Sequence, residues 1–185
     1  MPKFLNIYEK PAYFEQALFL YAKSCKYLDD DFARDGLSLF EYFEQLVNST
    51  MPFFFVIVED DEVAGIVYLD NIIGDTNNLY SAELTTCFDK KYWGMYTKLC
   101  AVIFLNFCFK KCGFKKIKAL VYPENKRVKN LLKFAGFKFE ALLKDETIRN
   151  KKSQDIEIYS CRKAEKWNLK QKIQQKKWTK LMKNF

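Results

Sequence analysis

Two periodicities organise the apolar positions of this chain. Alternating or unbroken apolar runs predict strands at Phe4–Tyr8, Phe53–Val58, Val63–Asn71, Leu79–Phe88, Lys115–Val121, Phe137–Leu143 and Ile156–Cys161. Apolar residues at helical spacing predict helices over Pro11–Cys25, Leu37–Asn48, Met95–Cys112 and Asn125–Ala135. In the second of these, Leu39, Phe40, Phe43 and Leu46 share one face. The third is apolar almost all round, the mark of a buried helix, and Pro11 suits the first turn of its own. Polar segments punctuate the pattern. Lys26–Arg34, with Asp29-Asp30-Asp31 at its centre, reads as a solvated loop, Asp60-Asp61 as a turn, Gly74–Asn78 as a loop, Asp89–Gly94 as a turn and Lys144–Gln154 as a polar connection. The order is strand, two helices, three strands, helix, strand, helix, two strands, which predicts a mixed sheet with helices on both faces.

Composition narrows the chemistry. The chain has 185 residues, 49% of them hydrophobic and 17% aromatic, with 18 Phe and 11 Tyr, which predicts one domain with an aromatic-rich core. It has no histidine, so Ser-His and Cys-His nucleophile pairs and histidine metal sites are excluded. Proton transfer has to use a carboxylate, Tyr, Cys, Lys or water. The six cysteines show no CxxC spacing. Cys108 and Cys112 lie one turn apart with no second pair to complete a metal site, so small buried thiols in a reducing cytoplasm are expected, and no metal. The longest apolar run, Leu99 to Phe109 broken by Asn106, is too short for a membrane span. The first residues mix Lys3, Glu9 and Lys10 with apolar ones and lack the apolar core of a secretory signal, which points to the cytoplasm.

Charge divides the chain in two. Residues 162–185 carry nine Lys and Arg against Glu165 alone, a net +8 that equals the net charge of the whole chain. The body, residues 1–161, is therefore electrically balanced. In the tail, Trp178, Leu181, Met182 and Phe185 recur at helical spacing, which predicts a basic amphipathic helix. Its apolar stripe suits packing on its own domain, on a second copy or on a protein partner. Its charge is compatible with RNA or another anionic surface, a less favoured reading.

Local signatures sharpen the order of elements. Gly113–Phe137 reads G-F-K-K-I-K-A-L-V-Y-P-E-N-K-R-V-K-N-L-L-K-F-A-G-F: a Gly-Phe ends one helix, a short strand follows, and Pro123-Glu124-Asn125 opens a second helix that ends on another Gly-Phe. The hairpin E-D-D-E-V-A-G-I-V-Y-L-D returns through Gly65. D-K-K-Y-W-G-M-Y, between a strand and a helix, places Lys91 and Gly94 at the first and central positions of the pattern Q/R-x-x-G-x-G/A. Together these resemble the GNAT N-acetyltransferase superfamily. Tyr92-Trp93-Gly94, the spacing of Asn125 from Gly136, and Lys144-Asp145, Asn150, Asp155 and Tyr159-Ser160 are similar to its ribosomal-protein alanine N-acetyltransferase branch. The resemblance covers about Phe53 to Cys161 and implies an α+β (α/β/α) fold with a mixed, largely antiparallel sheet of six to seven strands, followed by the basic C-terminal helix.

The resemblance also implies a site. Acetyl-CoA would enter where the sheet splays between Leu79–Phe88 and Lys115–Val121. Backbone N–H groups around Thr86, Cys87 and Phe88 would polarise the thioester carbonyl. Lys91, Trp93, Gly94, Met95 and Tyr96 would hold the pyrophosphate on free backbone N–H groups and the helix dipole, and Asn125 would contact the pantetheine arm. Three positions depart from the family pattern: Tyr96 stands for a small residue, Leu132 for the Tyr that many members use as general acid, and Val128 for a Ser of the alanine-acetylating branch. Glu83, a carboxylate in an apolar strand, is the candidate base, with a salt-bridged structural Glu as the competing reading. Tyr122 is the candidate acid, against a packing role. The implied activity is transfer of acetyl from acetyl-CoA to a primary amine, a protein N-terminus or a small molecule, by direct attack in a ternary complex. The alternative is a catalytically inactive GNAT-fold component of an assembly such as a phage particle, which would make it virion-associated. A toxin acting on charged tRNA is a third reading.

Overall fold

Glycines and short polar turns cut the chain into seven strands and four helices, and a computed structural model describes residues 1–75 and 78–163 of them. The strands are β1 (Lys3–Asn6), β2 (Phe54–Glu59), β3 (Glu62–Gly74), β4 (Leu79–Phe88), β5 (Lys116–Val121), β6 (Lys138–Arg149) and β7 (Lys152–Arg162). The helices are α1 (Phe14–Leu28), α2 (Leu39–Ser49), α3 (Met95–Phe107) and α4 (Lys126–Ala135). One sheet holds all seven strands in the order β1-β2-β3-β4-β5-β7-β6. Every neighbouring pair is antiparallel except β4 and β5. The expected mixed, mostly antiparallel sheet with helices on both sides is what forms. The predicted basic C-terminal helix lies outside the described residues.

Alternation along β2 and β3 sorts the core into two layers. Phe54, Val56, Ile66 and Tyr68 face α1 and α2, where they bury Tyr21 and Phe43. Phe55, Ile57, Val67 and Leu69 face α3 and α4, with Phe104 and Leu132. Helix α2 starts on a capping box, in which Ser38 Oγ accepts from Glu41 N–H and the Glu41 carboxylate accepts from Ser38 N–H. Helix α3 ends in one π turn, Cys108–Cys112, closed by Gly113 at φ 87°.

Two expectations need correction. Lys144–Gln154 is not a connection: β6 and β7 run through it and turn only at Asn150 and Lys151, both at positive φ. Polar side chains on both faces hide the strands from a hydrophobicity pattern. Cross-strand pairing supports them instead, with Lys144 Nζ 2.7 Å from Asp155 Oδ2 and Ser153 Oγ 2.5 Å from Asp145 Oδ1. The three aspartates are likewise not a solvated loop. Asp31 accepts from the N–H groups of Asn150 and Lys151 at 2.9 and 2.8 Å. Asp30 accepts from Thr147 Oγ1 at 2.6 Å, and Asp29 accepts from the Tyr21 hydroxyl. With Arg149 donating to Lys26 O, the segment after α1 clasps the tip of the β6–β7 hairpin and fixes one rim of the central cleft.

Candidate active site

Strand β4 is paired with β3 as far as Phe88, but with β5 only through Ser81, Ala82 and Glu83. Beyond Glu83 the two strands part, and their facing edges have no strand partner among the described residues. A cleft of about 1670 Å³ opens there, lined by side chains from both faces of the sheet. Its apex is pinned by an ion pair: Lys118 Nζ lies 2.6 Å from Glu83 Oε1, and Asn71 Nδ2 donates to Oε2 at 2.9 Å.

On the α3–α4 face the cleft is cationic. Gly94 precedes α3 at φ 110°, a conformation that side-chain-bearing residues rarely adopt, and no side chain caps the helix. The first-turn N–H groups are thus available to an anion. Lys90, Lys98 and Arg127 line the same region. Trp93 is held by its indole N–H, which donates to Phe88 O at 3.0 Å, and the Arg127 guanidinium stacks 3.3 Å over its ring. Lys91, the motif residue, turns away to pair with Glu62 and does not line the cleft, whereas Lys90 does. Met95 and Tyr96 also lie outside the lining. The Tyr96 ring packs on Tyr92 and Phe88, and its hydroxyl donates to Glu59 at 3.2 Å, so its bulk is directed away from the start of α3. Asn125 lines the cleft and caps α4 by accepting from Val128 N–H at 3.2 Å, which leaves its amide N–H₂ to meet a ligand.

The walls near the apex carry Thr86, Cys87 and Phe88 from β4. Thr86 Oγ1 donates to Ile66 O at 2.7 Å. Burial pushes the Cys87 and Cys100 thiols up to about 12, so both stay protonated and are weak nucleophiles near neutral pH. Leu132 is buried in the core beneath α4.

On the α1–α2 face the lining mixes aromatic and charged groups: Tyr27, Tyr42, Tyr68 and Tyr122, the acids Asp29, Asp30 and Asp70, and the cations Lys23, Lys26 and Arg149. Tyr122 is nearly buried, with the Arg149 guanidinium 4.4 Å from its ring centre. Burial raises its pKa and Arg149 opposes the rise. Burial likewise raises the Asp29 carboxyl, whose Oδ2 has no hydrogen-bond partner among the described residues. Asp70 sits directly across from Glu83 in the β3–β4 register. Burial and the Glu83 charge push it up to about 6, and its Oδ1 is a second buried oxygen with no hydrogen-bond partner among the described residues. Sequence reasoning overlooked Asp70, although an Asp continuing the buried face of Ile66 and Tyr68 was a visible signal. It had no means of finding the Trp93–Arg127 stack, which joins residues 34 positions apart in the chain.

The family model described as an acetyltransferase (GNAT) domain matches residues 5–138. No curated protein matches the sequence. Among solved structures, a chimera built on the Vibrio cholerae spermidine N-acetyltransferase superposes with a TM-score of 0.74 at 20% identity, covering 90% of this chain and 98% of its own. The Vibrio cholerae spermidine N-acetyltransferase in complex with CoA and spermine gives 0.71 at 19% identity, over 90% and 98% of the two chains. The ribosomal-protein-S5-alanine acetyltransferase of Vibrio fischeri gives 0.68 at 15% identity, over 87% and 91%.

Proposed function

The chain belongs to the GNAT acetyltransferase family, and from that premise we propose that it transfers the acetyl group of acetyl-CoA to a primary amine by direct attack in a ternary complex. The observation that carries this reading is the continuity of one cleft through the splayed sheet, with Lys90, Lys98 and Arg127 near the uncapped start of α3 on one side and the carboxylates Asp29 and Asp70 on the other. The residues suit the cosubstrate: uncapped N–H groups after Gly94, with Lys90, Lys98 and Arg127, match phosphates. The unpaired edges of Leu84–Phe88 and Ala119–Val121 match the amides of a pantetheine arm. Acetyl-CoA brings the activated thioester. The protein's part is to align it; β4 backbone N–H groups near Thr86 and Phe88 would polarise the carbonyl and the Tyr122 hydroxyl would protonate the leaving sulfur. The protonated Cys87 and Cys100 favour direct attack over an acyl-cysteine relay. Asp29 and Asp70 suit an acceptor that arrives as a cation, and both a free protein N-terminus and a small alkylamine fit that description.

Titration calorimetry with acetyl-CoA tests the cosubstrate, and thiol release with spermidine or an alanine-initiated peptide as probe amines tests the reaction. Saturable binding with thiol release in the presence of an amine is expected. Absence of binding at millimolar acetyl-CoA would sink the proposal.

A further inference from the structure

Resting on that acetyltransferase reading, we propose that Asp70, rather than Glu83, is the catalytic carboxylate that takes the proton from the acceptor amine. Glu83 is already committed: Lys118 neutralises one oxygen and Asn71 occupies the other. Asp70 lines the same cleft one strand away, in register with Glu83 at the level where β4 and β5 separate. No described side chain or backbone group reaches its buried Oδ1. Asp29 is the other carboxylate with a buried unpartnered oxygen, but it stands at the end of α1, bonded to Tyr21 beside the hairpin clasp. Asp70 is therefore the better placed of the two to serve a reaction at the open edge of β4.

The groups that set its proton affinity are Glu83 on β4, its own backbone N–H and Lys118 on β5, and the Asp70 charge in turn acts on Tyr68 on its own strand and Tyr42 on α2. Burial and the like charge of Glu83 raise the Asp70 carboxyl, and its own backbone N–H and then Lys118 lower it, leaving it at about 6, where it can both accept and release a proton near neutrality. In the step, one proton of the bound ammonium passes to the Asp70 carboxylate. The freed nitrogen lone pair forms the C–N bond to the thioester carbonyl carbon as the C–S bond breaks, and its electron pair leaves on the CoA sulfur. Tyr122 gives its hydroxyl proton to that sulfur and recovers one from the nitrogen, and Asp70 returns its own proton to water.

The test uses the full chain, acetyl-CoA, and spermidine and an alanine-initiated peptide as probe amines. Asp70→Asn should lower kcat about a hundredfold, leave the acetyl-CoA Kd unchanged within about twofold, and abolish the rise of kcat/KM centred near pH 6. Glu83→Gln removes the like charge, so it should move that rise to lower pH without abolishing it. Carboxyl ¹³C NMR gives a readout independent of turnover: the Asp70 signal should titrate near pH 6 and shift to lower pH on saturation with a probe amine. Turnover that survives Asp70→Asn with its pH rise intact, or an Asp70 signal indifferent to both amines, would overturn the assignment alone. A protein that fails to bind acetyl-CoA overturns the acetyltransferase reading and this assignment with it.

Discussion

Asp70→Asn should make the protein more stable above pH 6 and no more stable near pH 4. The Asp70 carboxyl lies at about 6 in the folded protein against an ordinary 3.8, a rise caused first by burial and then by Glu83. A raised folded-state value means that the folded protein holds this proton more tightly than the unfolded chain does. The associated stability is fully present below pH 3.8 and is lost as pH climbs through 6. At about 1.4 kcal/mol per unit, a shift of roughly two units corresponds to about 3 kcal/mol for a group shut off from water. The cleft admits solvent to part of this carboxylate, and screening reduces the figure to about 1.5 kcal/mol. For a chain of this size that is roughly 4 °C in Tm. Thermal unfolding followed by circular dichroism, for both proteins across that pH range, measures it. A substitution that is neutral or destabilising at every pH would show the Asp70 anion to be solvated or partnered, and the desolvation argument would fail.

Three further outcomes follow from contacts already described. Gly65→Ala should cost about 2 kcal/mol or more in urea unfolding, because a Cβ there would sit 2.7 Å from Phe88 Cδ1 and 2.9 Å from Cys87 O, and the latter is sheet backbone that cannot give way. Asp31→Ala should cost about 1–2 kcal/mol and speed hydrogen exchange at the amides of Asn150 and Lys151, whose N–H groups lose their acceptor; unchanged protection at those two amides would mean that the clasp does not hold the hairpin. Cys100→Ala should leave acetyl transfer within a few-fold of the parent, and Cys100 should resist iodoacetamide at about pH 8, since burial keeps its thiol protonated; loss of acyl transfer would instead point to a cysteine relay.

How far the sequence could be read depended on which signal each element carried. The strands β2 to β5 and helices α2 to α4 announced themselves through apolar periodicity and glycine stops, while the position of the cleft between β4 and β5 came from the family resemblance of their local motifs and not from their order. The tip of β6–β7 carried no such signal, because its stability comes from polar cross-strand pairs and from Asp30 and Asp31, more than a hundred residues earlier in the chain. Local pattern cannot report a partner that distant. The site showed the same division. Gly94 and Asn125 were legible because backbone conformation and helix capping are local demands. Lys91 was read into the phosphate region from its motif position, whereas the backbone turn aims it at Glu62 and leaves Lys90 facing the cleft. A one-residue change in direction within a single turn is decided by tertiary contacts. Asp70 needed the register of β3 against β4 before its relation to Glu83 could be seen.

The parallel contact of β4 and β5 explains why the site lies where it does. The other sheet neighbours are antiparallel, and β4 and β5 are joined only by the crossover through α3. No tight turn forces these two strands to stay in register, so they separate once the Glu83–Lys118 pair is passed. Separation leaves two backbone edges unpaired within the sheet, an arrangement that persists only if water or a ligand meets their N–H and C=O groups. It also joins the two faces of the sheet. Lys90, Lys98 and Arg127 look in from the α3–α4 side, and Asp29 and Asp70 from the α1–α2 side. In the proposed reaction the cationic cluster at the start of α3 would draw an anionic cosubstrate into the gap from one side, while Asp29 and Asp70 would offer a cationic acceptor its partners on the other.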